Sequence, residues 1–217
     1  MTAVTETQHA QDAERVETAA RPKGFELFGE MGLVGVLALA GCVVLVGWIA
    51  AVAAGVAHMR RHLWGYGDSV ADYAGLFRDS LRGNWPAALA SVAVGFLLWA
   101  NAAWVSAGAV PGGSGLLAAL GVVGAAVWAV CVRAAAAWSS PEGEATVAGV
   151  RGWWALLAWA GRTCLDDLVG TLLLLVSLGL GILLVWMFIP LFIVVPGLWV
   201  LAAVGVEFRR HTRAATR

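Results

Sequence analysis

Charge is what this chain has least of. Only 13 % of its 217 residues are Asp, Glu, Lys or Arg, while 60 % are hydrophobic, a balance outside that of soluble domains. Lysine occurs once, as Lys23, and every other basic residue is an arginine. The formal net charge is zero, which leaves no case for nucleic acid as a partner. Cysteine is scarce too. Cys42, Cys131 and Cys164 stand far apart with no CxxC pair, which excludes a secreted-type disulfide framework and reads as small buried hydrophobes. Paired carboxylates within a span, HExxH, GxSxG and a Ser-His-Asp set are all missing, so the expectation is a protein that is not an enzyme and has no cofactor or metal. No Asp, Glu, Lys or His falls at the middle of an apolar run, which argues against a proton-coupled pump.

What the chain has is long apolar runs. Gly83 to Val132 contains no Lys, Arg, Asp, Glu or His. As one helix it would extend about 75 Å, more than twice the roughly 30 Å hydrocarbon core of a bilayer. Val110-Pro-Gly-Gly-Ser-Gly115 breaks it, predicting a hairpin of two spans, 86–109 and 115–138. Leu168 to Val206 is again charge-free, about 58 Å as a helix, and predicts spans at 168–188 and 189–206 with Pro190 and Pro196-Gly197 at the turn. The first span, 33–57, carries the small pairs Ala50/Ala54 and Ala51/Gly55, four residues apart, a spacing that lets lipid-embedded helices approach closely. The expected fold is therefore all-α: a membrane bundle of about five spans occupying 25–208. An acidic, disordered tail (1–24) precedes it and a basic tail (209–217) follows.

Two amphipathic helices are expected on one face of the membrane. Ser69 with Asp72 has capping-box spacing, and Val70, Tyr73, Phe77 and Leu81 form an apolar stripe that leads to Trp85-Pro86. This helix is read as lying along the surface before the chain turns inward at Pro86. The second starts at Ser140-Pro141-Glu142 and presents Val147, Val150, Trp154 and Leu157. An offset of 80 residues maps one half of the chain onto the other, with Arg82 falling on Arg162, the pattern of a two-fold pseudo-repeat.

Polar residues near or inside the spans are the site candidates. Asn101 is the most polar side chain deep in a span, and two readings stay open: an interhelical hydrogen bond, or a contact lining a path with Ser106 and Ser177. Arg60, Arg61, Arg82, Arg133 and Arg162 read as interfacial anchors, Arg133 by reaching outward to the headgroups. His58 and His62 have metal-ligand spacing, but Arg60 and Arg61 between them favour a basic anchor. Asp166-Asp167 reads as a cap at the start of the fourth span.

The arginines set an orientation. Eleven of the fourteen basic residues lie in the two longer loops and the C-terminal tail, whereas the short connections hold none. By the positive-inside rule that side is cytoplasmic, placing the N-terminus outside, the C-terminus inside and the chain in the cell membrane.

Phe25-Glu-Leu-Phe-Gly-Glu-Met-Gly32, Arg60-Arg61, Tyr73-Ala-Gly-Leu-Phe-Arg-Asp-Ser-Leu-Arg-Gly-Asn-Trp85, Ile189-Pro-Leu-Phe192 and Pro196-Gly-Leu198 together resemble the YesL-like family of bacterial integral membrane proteins, a domain of unknown function. The similarity covers about residues 24–212. Where that family often carries a Pro followed by Thr-x-Gly, this chain has Val43-Val-Leu-Val-Gly-Trp-Ile-Ala50. The resemblance implies a multi-pass protein associated with carbohydrate import. The expected role is a non-catalytic accessory or assembly component of a transport complex, with subunits of that complex and the lipid bilayer as partners. The alternative is a small permease with its path near Asn101.

Overall fold

The computed structural model describes residues 47–63, 69–108, 112–139 and 149–215. Among them the regular elements are all helical: α1 (Trp48–Leu63), α2 (Val70–Ser106), α3 (Gly113–Ala137), α4 (Gly149–Asp166), α5 (Leu168–Met187), a short 3-10 helix (Ile189–Ile193) and α6 (Val195–Ala215). The N-terminal tail, most of the first expected span and the Ser140-Pro141 start of the second amphipathic helix lie outside the described residues. Of the described helices, α2, α3 and α5 are long and apolar enough to cross a membrane.

α1 is the axis of the bundle. Every residue from Ile49 to Met59 is buried. Ala50, Ala51, Ala53 and Ala54 have no exposed surface at all, which is where the small-residue pairs were expected to meet a neighbour. α2, α3 and α6 pack around it. Ile49, Val52, Val56 and Met59 join Val132, Trp153, Leu156, Leu174 and Val200 from the surrounding helices in one continuous core.

α2 departs from expectation by running unbroken through Pro86. Its capping box is present in both directions: Asp72 N–H donates to Ser69 Oγ at 3.2 Å, and Ser69 N–H donates to Asp72 Oδ2 at 3.0 Å. Two bonds tie it to α1. Trp48 Nε1 donates to Ser91 Oγ at 2.9 Å, and Tyr73 Oη donates to the Ala51 carbonyl at 3.2 Å. Pro86 lies between Tyr73 and Ser91, inside the helix, and denies the Arg82 carbonyl its helical donor. The expected start of a span at Pro86 is thus an interior position of one continuous helix.

The buried line of α2 also differs from the apolar stripe. It runs through Tyr73, Ser80, Asn84, Ala87 and Ala88, while Val70 is 56 % exposed. Small side chains on this line allow close approach to α1 where Leu81 and Phe77 would hold it away.

α2 ends at Ser106 and α3 starts at Gly113, so the chain breaks where expected, with Gly108 and Gly112 at φ +80° and +74°, a region glycine enters without a Cβ penalty. α3 and α5 agree with the expected spans to within two residues at each end. α6 does not stop at Val206: it continues through Glu207 and Arg209 to Ala215, so the first part of the expected tail is helix. Between Glu207 and Ala215 there is neither Gly nor Pro, and Glu, Arg and Ala favour the helix. Moved by 80 residues, the bounds of α2 become 150–186, almost the stretch that α4 and α5 occupy together, and Pro86 falls on Asp166 at the break between them.

Candidate functional site

The charged side chains that turn inward gather at one end of the bundle. Arg60, on the last turn of α1, pairs with Glu207 of α6. It also donates from Nη1 to Ser139 Oγ at 2.6 Å and from Nη2 to the Ala136 carbonyl at 2.7 Å. Near it on α3, Arg133 is only 6 % exposed. Its Nη1 donates to the Thr163 carbonyl at 3.3 Å, and its Nη2 reaches Asp167 Oδ2 at 3.4 Å and Thr171 Oγ1 at 3.5 Å. Thr171 donates its own proton to the Cys164 carbonyl at 2.8 Å, which leaves its oxygen free to accept.

Asp167 is the hub. As N-cap of α5 it accepts from the Gly170 N–H at 3.1 Å through Oδ1, and the same oxygen accepts from Arg209 Nη2 at 2.8 Å. Partial burial pushes its carboxyl up, but the Gly170 N–H and the two guanidinium groups outweigh this and hold it below the usual carboxylate range. Gly170 is required by this geometry: a Cβ there would run into the Asp167 carboxylate and come within 2.8 Å of Arg133 Nη2. Arg60, Arg133, Thr163, Asp167 and Glu207 thus join α1, α3, α4, α5 and α6 in one polar layer.

Beneath the layer is a small cavity lined by Arg133, Trp159, Leu174, Ala203, Val206 and Glu207, with the backs of Ala136 and Ala137 closing it. Arg133 Nε, also buried, has no protein acceptor.

The expected anchors divide. Arg61, Arg82 and Arg162 are exposed, as anchoring requires. Arg60 and Arg133 instead turn inward onto carboxylates. Arg133 has an acid to meet there, 34 residues further on, and the short side chains of Ala134 to Ala137 leave it room. His58 is 1 % exposed and sits edge-on to Tyr73, with ring centroids 6.0 Å apart, so it belongs to the core. Among the described residues no group of three metal-ligating side chains forms.

Asn101, Ser106 and Ser177 are not gathered around the cavity. Asn101 is exposed on the outside of α2 and donates from Nδ2 to the Leu97 carbonyl of its own helix at 2.7 Å. Ser106, also exposed, bonds to the Ala102 carbonyl at 2.8 Å. Ser177 is buried and bonds to the Leu174 carbonyl at 2.7 Å, while its own carbonyl accepts from Trp199 Nε1 at 3.2 Å. The residues that sequence reasoning missed are Ser80 and Asn84. Both are fully buried on α2, and Ser80 Oγ, Asn84 Oδ1 and Asn84 Nδ2 make no hydrogen bond to protein. Their i,i+4 spacing on the line of Tyr73 and Ala87 is a signal the sequence does contain.

Trp85 and Trp104 of α2 are 53 % and 73 % exposed and 19 residues apart, about 28 Å along a helix. Asp167 and the 83 % exposed Trp186 of α5 have the same separation. On α3 the distance from Gly113 to Arg133 is about 30 Å. These separations are close to the roughly 30 Å thickness of the hydrocarbon core of a bilayer. Compared with known protein families, curated proteins and solved structures, the chain matches none.

Proposed function

We propose that this protein is a non-catalytic, multi-pass membrane subunit, an accessory or assembly partner of a transport system. The observation that carries this reading is the polar layer: its charges are spent on one another, tying five helices together. Outside it, α2 and α5 present apolar surface, including Phe96, Leu97, Trp99, Leu172, Val176, Ile182 and Trp186. Such a surface suits lipid or neighbouring membrane helices.

In this reading the chain crosses five times, with the first span extending α1 toward the N-terminus and α6 as the last crossing. The basic end, with Arg61, Arg82 and Arg162 at its rim, is cytoplasmic, and the Gly108 to Gly112 turn faces outward. The coincidence of α2 with α4 plus α5 under an 80-residue shift supports two similar halves. Carbohydrate uptake enters only through the resemblance to YesL-like proteins. The permease alternative draws less support from Asn101, whose amide is committed to its own helix on the outer face.

Liposomes reconstituted with this chain alone provide the test. Uptake of labelled mono- and disaccharides should stay at the level of protein-free liposomes; saturable uptake would replace the subunit reading with the permease.

A further inference from the structure

We propose that the cavity below the polar layer is a binding site for a single structural water molecule, which bridges Arg133 to Glu207. Three observations carry this. The volume open to a water molecule is about 20 Å³, enough for one water and too little for a sugar, a phosphate or an acyl chain. The lining includes a donor in need of an acceptor: Arg133 is 6 % exposed, and its Nε–H has no protein partner. It also includes Glu207, whose carboxylate is largely buried and has lone pairs beyond the one facing Arg60.

Chemistry narrows the occupant further. A water can accept from Arg133 Nε and donate to the Glu207 carboxylate at the same time. A chloride would satisfy Arg133 but would be repelled by Glu207. A cation would meet the reverse conflict, and an apolar guest would satisfy neither. Of the remaining lining, Leu174, Ala203 and Val206 are apolar and offer the water no competing side-chain partner.

The bridge has a structural consequence. Arg60 and Glu207 form one group of the polar layer, and Arg133, Asp167 and Arg209 form the other. A water between Arg133 and Glu207 links them into one network, and linked polar groups hold one arrangement of the helix ends more firmly than separate pairs do.

An isosteric pair of substitutions tests this without relying on size. Ala203→Thr and Ala203→Val place the same shape in the cavity and displace the water, but only threonine brings a hydroxyl that can accept from Arg133 and donate to Glu207. The threonine variant should melt about 2–4 °C higher than the valine variant in the same detergent, the effect of one hydrogen bond in a chain of this size. Equal melting, or a more stable valine variant, would overturn the proposal. If neither variant folds, a map of the unaltered chain at a resolution that shows ordered water decides: density within hydrogen-bond distance of both Arg133 Nε and the Glu207 carboxylate supports it, and a gap with no such peak refutes it.

Discussion

Asp167 closes the N-terminus of α5 and, with the same carboxylate, neutralises Arg133 across 3.4 Å from α3. One side chain is thus both a helix cap and the counter-ion of a buried arginine. The two tasks separate on substitution. Asn can still cap, but it cannot neutralise. Asp167→Asn should cost about 3 kcal/mol, the low end for stranding a buried charge, because the carboxylate keeps some contact with water. Thermal unfolding in detergent measures this, and a loss under about 1 kcal/mol would show that capping is its main role.

The same residue sets a pH dependence. Its carboxyl lies below the ordinary range when folded. A depressed folded pKa means that its stabilisation is present above the unfolded value, near 4, and is lost as pH falls through the lower folded value. The unaltered protein should lose stability on acidification below about pH 4, and Asp167→Asn should flatten that part of the profile. Parallel profiles would assign the acid sensitivity elsewhere.

Gly170→Ala introduces a methyl group where the Asp167 carboxylate stands. It should destabilise by at least about 1 kcal/mol, against the trend of helix propensity. Gly179→Ala, further along α5 with nothing within 4 Å of the added carbon, should be neutral or stabilising by up to about 1 kcal/mol. Equal effects would mean that Asp167 moves aside without cost.

Asn84 is buried with both amide atoms unpartnered by protein, whereas Asn101 is exposed and bonded to its own helix. Replacing a buried polar group that lacks partners by an apolar one of similar shape is neutral or stabilising. Asn84→Leu should raise the melting temperature. A fall would reveal that Asn84 holds a partner within the native membrane.

The particular elements explain which features were legible in the sequence. α5 could be bounded within a residue because Asp166-Asp167 and the Pro190 region bracket an uninterrupted apolar run. The capping box at Ser69 is a local pattern, and it formed as a local pattern should. Arg133 was harder. Its burial depends on an acid 34 residues away, and only the packing of α3 against α5 brings them together. The unbroken course of α2 was hidden by Pro86, because proline is tolerated in the first turn of a helix and so reads as a start. Asn84 adjoins Trp85-Pro86, where an apolar run begins, whereas Asn101 lies deep within that run. Depth along the sequence does not say which face of the helix is turned inward, and at Asn101 it is the outer one.

The central claim, that the chain works as a subunit among other membrane proteins, is tested most directly by the composition of the species extracted from native membranes in mild detergent. Native mass spectrometry should find this chain in a defined stoichiometry with at least one different membrane polypeptide. A population made up only of single chains, or of copies of this chain alone, would contradict it.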